Sequence, residues 1–313
     1  MTNPDVRDTR LTGDLAGRPP LVIWHKGCLD GFTSAWVVWK YYQQFNVTPD
    51  FHEGVYQTPP PDCADRDVIM VDFSYPEPVI DRMSGDARSV LVIDHHKTAE
   101  KALSRWQVPW AMRPVRSPSL PPGRSVALFD MNHAGCSMCW RYYFPDAPQP
   151  RLVYHVQDRD LWRFELPGTE EICAVLYAEE FDFARWDALA AGLEDTGQWD
   201  DVFVTGRTLL VAKAKERRQL ATIARKMTIG GWPMPVVNAP WFHASELGNE
   251  LAQAAASRCA ATYHDDENGM RKFSLRSVAG GPDVSEIAAK MGGGGHPRAA
   301  GFTAPKNWEG DGS

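Results

Sequence analysis

Three short runs of apolar and β-branched residues open the ordered part of the chain: 21–25 (LVIWH), 67–72 (DVIMVD) and 90–94 (VLVID). Continuous apolar runs of this length suit strands covered on both faces, as in a parallel sheet. Apolar residues in GFTSAWVVWKYYQQF recur at helical spacing between the first two runs, and YPEPVIDRMSGDA holds a short helix between the second and third. Strand, helix, strand, helix, strand is the signature of an open α/β sheet. Downstream, SVALFD predicts a further strand, the segment with Gly135 and Cys136 a helix, LVYHV (152–156) another strand, and 165–200 helical packing.

A long helical pattern with Lys and Arg on its polar side covers about 203–228 and is stopped by Gly230 and Gly231. Beyond it PVVNAP, a helix around SELGNELAQAAASRCAATY, the strand RKFSLRS and a glycine-rich stretch form a second, smaller α/β domain. The expected organisation is a tail over 1–19, a parallel-sheet α/β domain over 20–202, a connecting helix over 203–228, the second domain over 229–305 and a tail over 306–313.

Composition narrows the function. With 313 residues, 43% hydrophobic and 23% charged, the chain has the balance of a soluble globular protein. No stretch reaches the roughly 20 apolar residues that span a bilayer. The polar, proline-containing start lacks the marks of a signal or transit peptide, so a cytoplasmic protein with no membrane partner is expected. A net charge of −7 without a long basic run argues against gripping long duplex nucleic acid, yet leaves room for a small anionic substrate. The six cysteines are scattered, so reduced thiols are expected. Cys136 and Cys139 form a CxxC without a second pair, which favours packing over zinc or redox chemistry.

In an open parallel sheet, ligands bind beyond the carboxyl ends of the strands. The three leading runs end in His25, Asp72 and Asp94-His95-His96, and Asp30 lies in the turn after the first. Carboxylates and imidazoles gathered on one sheet edge suit Mn²⁺, Fe²⁺ or Zn²⁺. In the second domain Gly292 to Gly295, followed by His296, removes every Cβ from a loop whose amides could then approach an anion.

VLVIDHH resembles the signature of the DHH phosphoesterase superfamily. HKGCLDG (25–31), MVDFS around Asp72, NHAGC, VQDRDLW and the C-terminal SLRS…VSEIAAKMGGGGHPRAAGF follow in that family's order, the last being similar to the DHH-associated (DHHA1) substrate domain. The resemblance covers about residues 21–303. It implies two metal ions, Mn²⁺ foremost with Mg²⁺ or another divalent ion as the alternative, bridged by Asp72. His25 would help hold the first. Asp30, His95 and an aspartate of QDRD would hold the second, Asp158 being preferred over Asp160 as the residue ending a strand. Asp94 would orient the ring of His95, and His96 would donate to the leaving oxygen. Arg276, Gly293, Gly294, Gly295 and His296 would bind the far phosphate or nucleoside. Cys28 stands where the family commonly has an aspartate ligand. That leaves three readings: a weaker first site, a softer metal, or a cysteine that packs.

The expected activity is hydrolysis of short single-stranded oligonucleotides or dinucleotides to nucleoside monophosphates. A 3′-phosphoadenosine 5′-phosphate or cyclic dinucleotide substrate is the alternative, and a nucleotide sensor with a degraded metal site is the alternative of another class. Oligomeric state, a homodimer included, stays open.

Overall fold

The structure is a computed structural model that describes residues 18–56, 58–114 and 120–312, with only the backbone of 196–198. Most of the tail expected over 1–19, and residues 115–119 within the stretch RPVRSPSLPPG (113–123), therefore lie outside the described residues. The chain divides into two units between Arg207 and Thr208.

The first unit is built on β1 (Leu21–His25), β2 (Asp50–Gly54), β3 (Asp67–Val71), β4 (Ser89–Asp94) and β5 (Arg124–Phe129). They pair in the order β2-β1-β3-β4-β5, every pair parallel. Helices α1 (Leu29–Gln43), α2 (Glu77–Asp86) and α3 (Lys97–Ala102) follow β1, β3 and β4. β3 and β4 are buried throughout, which is why they read as unbroken apolar runs. Alternate side chains divide between two cores. Val22, Trp24, Ile69, Val71, Leu91 and Ile93 join Phe32 and Trp36 of α1 on one face. Leu21, Ile23, Val68, Met70, Val90 and Val92 join Ile80 and Met83 of α2 on the other.

Helices α4 (Gly135–Tyr143), α5 (Arg151–Asp160), α6 (Thr169–Leu176) and α7 (Phe183–Glu194) complete the unit, and α8 (Thr196–Ala221) runs on past the division. Residues 152–156, expected as a strand, are thus the middle of α5. Pro150 stands before the first turn, and Leu152, Val153 and Val156 bury one helical stripe. β2 was not anticipated either, because this edge strand has the polar sequence DFHEG and only Gly54 is buried.

The second unit holds β6 (Arg225–Ile229), β7 (Trp232–Asn238), α9 (Ala244–Ala254), β8 (Cys259–Asp265), β9 (Met270–Ser277), α10 (Val284–Lys290), β10 (Gly294–His296) and β11 (Ala299–Pro305). The sheet order is β10-β11-β9-β8-β7-β6, antiparallel except for β7 with β8. The long helix expected over 203–228 therefore ends early, and its last residues are β6, paired with β7 across Gly230-Gly231. Residues 306–312, expected as a tail, pack on this unit. The Trp308 ring lies 5.1 Å from Phe273, and Asp311 accepts from the amides of Gly230 (3.1 Å) and Gly231 (2.7 Å).

Trp36 is fully buried and stacks on Trp140 with ring centroids 6.2 Å apart. Trp36→Ala is expected to cost about 3–5 kcal/mol in denaturant unfolding, the range for emptying an aromatic core position.

Candidate active site

The strand order sends the chain from β1 outward to β2 and then back across to β3, so β1 and β3 flank the switch point where such sheets form clefts. His25 is the last residue of β1, Asp72 follows β3, and Asp94 ends β4 with His95 and His96 after it. Asp72 adopts a positive φ of 51°, a conformation that aspartate tolerates better than most residues, while its amide still donates to the Ile93 carbonyl at 3.0 Å. The bend turns its carboxylate across the strand ends.

At the centre lies His95. Its Nε2 is 3.1 Å from Asp72 Oδ1, 3.4 Å from Asp160 Oδ2 and 3.5 Å from Asp30 Oδ2. Asp30 sits in the first turn of α1, and its carboxylate accepts from the amides of Gly135 (2.7 Å) and Cys136 (2.8 Å) at the start of α4. A helix N-terminus offers free donors to an anion. Only glycine fits at 135: a Cβ there would stand 2.8 Å from Asp72 Cβ and 3.0 Å from Asp30 Oδ2. Gly31 is constrained likewise, since its Cβ would meet the His25 carbonyl oxygen at 2.7 Å.

Asp160 joins this centre and Asp158, the residue preferred from sequence, does not. The Asp158 carboxylate accepts from the amides of Glu165 (2.9 Å) and Leu166 (3.1 Å) and from the Thr169 hydroxyl (2.6 Å), tying the end of α5 to the start of α6. The helix explains the exchange, because residues two apart point roughly 200° from one another. Asp94 also departs from expectation. Its Oδ1 accepts from the amides of His95 (2.7 Å) and His96 (3.2 Å) and lies 2.6 Å from Nδ1 of His96, so the ring it orients is that of His96 rather than His95.

The electrostatics call for a cation. Burial, then the charges of Asp72 and Asp160, push the Asp30 carboxyl well above the usual range. Asp160 is raised by burial and by Asp72 against the pull of His95. For Asp72, burial is outweighed by the facing imidazoles of His25 and His95, which hold it well below the usual range. Burial alone would lower His95; hydrogen bonding to Asp72 and the surrounding carboxylates raise it to about 10. Three acids converge on one imidazole, and Asp72 Oδ2 and His25 Nδ1 are buried without a hydrogen-bond partner among the described residues. Such atoms are costly to leave unmet. Candidate ligand atoms of Asp30, Asp72 and His95, and separately of His25, Cys28 and Asp72, lie mutually within 4.8 Å. The donor set fits divalent ions with Asp72 shared between two positions.

Cys136 and Cys139 are both buried in α4. In the second unit, Gly293 and Gly295 are demanded by the β10–β11 hairpin, where a Cβ would meet the Gly301 carbonyl oxygen at 2.0 Å and that of Ala299 at 2.6 Å. Gly295 has a φ of 140°. His296 closes β10, and Arg276, on β9, donates from Nη1 to the Leu275 carbonyl (2.9 Å) and from Nη2 to the Ser245 hydroxyl (2.8 Å).

Residues 239–311 match the family model of the DHHA1 domain. The uncharacterised protein R106 of Acanthamoeba polyphaga mimivirus is 29% identical over 308 residues, spanning 90% of this chain and 66% of the viral protein. Similar solved structures include the pGpG-specific phosphodiesterase PggH of Vibrio cholerae (TM-score 0.44, 13% identity, 92% of this chain and 94% of that one). An exopolyphosphatase-related protein of Bacteroides fragilis (0.45, 12%, 91% and 86%) and the exonuclease RecJ bound to manganese (0.45, 15%, 93% and 86%) are others. The second unit therefore carries a segment that matches the DHHA1 domain, and in the first unit Asp94-His95-His96 stands at the end of β4.

Asp160→Asn is expected to weaken divalent-ion binding by at least about tenfold in calorimetric titration, since it removes a candidate ligand where even outer partners cost 10–100-fold. Asp158→Asn should instead lower thermal stability and leave the ion affinity in place. Gly135→Ala is expected to weaken ion binding by displacing Asp30 and Asp72 together, with far-UV circular dichroism unchanged.

Proposed function

We propose that this chain is a divalent-metal-dependent phosphodiesterase that hydrolyses short single-stranded oligonucleotides or dinucleotides to nucleoside monophosphates, with Mn²⁺ as its principal ion. The observation that carries the proposal is the convergence of Asp30, Asp72 and Asp160 on His95 beneath the switch point of the sheet. His25, Asp30, Asp72, His95 and Asp160 would hold the ions. Ions bound there would supply Lewis acidity to the phosphate and lower the pKa of an attacking water.

The remaining chemistry belongs to side chains. Asp94 fixes the His96 ring through Nδ1, and although burial works against the charged ring, Asp94 and then Asp72 raise its pKa above the ordinary value. A protonated imidazole held in one orientation is suited to give a proton to the departing oxygen through Nε2. In the second unit Arg276, Gly293, Gly294, Gly295 and His296 would bind the substrate's far phosphate or nucleoside, the glycines by allowing amides near an anion. The net charge of −7 supports a small substrate over long duplex nucleic acid, whose affinity rests on many cationic contacts. Among the described residues no helix is long and apolar enough to cross a membrane.

The test is a hydrolysis panel of 5′-phosphorylated dinucleotides, longer RNA, cyclic dinucleotides, 3′-phosphoadenosine 5′-phosphate and pyrophosphate with Mn²⁺, Mg²⁺ or EDTA. Turnover of the linear dinucleotides with Mn²⁺ is expected. EDTA should abolish it, and Asp72→Asn should reduce it by at least about 10²-fold, the scale for losing one element of charge stabilisation. Binding without turnover in every ion would replace the hydrolase with a sensor.

A further inference from the structure

Five of the six cysteines, Cys63, Cys136, Cys139, Cys173 and Cys259, are buried, as packing residues are; Cys28 alone keeps partial exposure. It stands at the N-cap of α1 with extended backbone (φ −99°, ψ 131°) and its side chain makes no capping bond to the helix. Serine, threonine, aspartate or asparagine at this position would cap the helix through an oxygen, and sulfur is a poor substitute. Partial exposure and a place at the helix N-cap do not by themselves explain a cysteine here.

Its surroundings do. Cys28 Sγ, a ring nitrogen of His25 and a carboxylate oxygen of Asp72 lie mutually within 4.8 Å. The Asp72 side chain is 1% exposed, and its Oδ2, turned towards His25 Nδ1 at 3.6 Å, has no hydrogen-bond partner among the described residues. That separation exceeds a hydrogen bond but suits two ligands of one ion, whose bonds of roughly 2.0–2.3 Å splay them apart. A thiol completes the triangle.

We propose that Cys28 is a metal ligand, and that it makes the His25–Cys28–Asp72 position selective for a thiophilic divalent ion of the Zn²⁺, Fe²⁺ and Co²⁺ class. The position formed by Asp30, Asp72, His95 and Asp160 offers only oxygen and imidazole and takes a harder ion such as Mn²⁺. The pair is then mixed, with Asp72 common to both members. On binding, the Cys28 Sγ–H bond is replaced by an Sγ–metal bond and the proton passes to solvent. Thiolate favours the softer ions over Mn²⁺ beyond their general order of affinity. The inference rests on the metal-dependent reading above and adds which ion occupies which half of the centre.

The experiment is a Co²⁺ titration of the metal-free full-length chain, followed in the near ultraviolet where thiolate-to-cobalt charge transfer absorbs. One equivalent of Co²⁺ is expected to develop the band in the wild type and not in Cys28→Ser. In Cys28→Asp the band should be absent, and the Zn²⁺-over-Mn²⁺ affinity ratio should fall by at least about tenfold, the loss seen when metal-site partners are altered. Circular dichroism checks that the variants fold. If they do not, iodoacetamide labelling of the wild type with peptide mapping decides: Zn²⁺ should protect Cys28 from alkylation at concentrations where Mn²⁺ does not. Co²⁺ binding without the band, a band that survives in Cys28→Ser, or equal protection by both ions would overturn the proposal. Dinucleotide turnover with Mn²⁺ in a protein lacking the band would sink this inference and spare the hydrolase reading; a band without turnover of any phosphoester would do the reverse.

Discussion

Three carboxylates, Asp30, Asp72 and Asp160, converge within 3.5 Å of one imidazole nitrogen in the first unit. Like charges brought together out of water cannot all remain ionised without a counter-charge, and one imidazolium does not balance three acids. Much of the local structure can be read as a response. The N-terminus of α4 gives two amides to Asp30, glycine at 135 lets that helix approach, and Asp72 takes a left-handed backbone so that its carboxylate reaches both His25 and His95. What these devices leave unmet among the described residues, Asp72 Oδ2 and His25 Nδ1, is the complement of a metal ion.

The parallel sheet gives this arrangement its precision. Three strands whose side chains are locked on both faces deliver His25, Asp72 and Asp94 to one edge, so the spacing of the polar groups is inherited from strand pairing rather than from loops. Asp94 then closes on the two residues after it. By engaging both amides and the His96 ring, it makes Asp-His-His a rigid turn in which one histidine points to the acids and the other is held at Nδ1.

The legible parts of the sequence were those where burial is two-sided or where a polar residue ends an apolar run. β1, β3 and β4 with their terminal residues meet both conditions. Less legible was the phase of α5: LVYHV is as apolar as a strand, and the helix declares itself only through Pro150 and the spacing of Leu152, Val153 and Val156. Reading it as a strand made Asp158 the terminal residue, whereas the helix turns Asp158 to Thr169 and Asp160 to His95. β6 was hidden because RKMTI continues a basic helical pattern without a breaker, and its strand character comes from pairing with a β7 that carries Pro233 and Pro235. The purpose of Gly135 could not be read from its neighbours, since it depends on Asp30 and Asp72, distant in sequence. The glycine run reports a constraint that spacing alone does not show, close backbone contact with β11 at 293 and 295.

The central claim is that the buried acids around His95 exist to hold divalent ions. Crystals soaked in MnCl₂ and measured for anomalous scattering near the manganese edge test it directly. The account predicts a peak coordinated by Asp30, Asp72, His95 and Asp160, with Asp158 outside the coordination sphere. A map with no peak at these residues, or a peak held by Asp158 in place of Asp160, would contradict it.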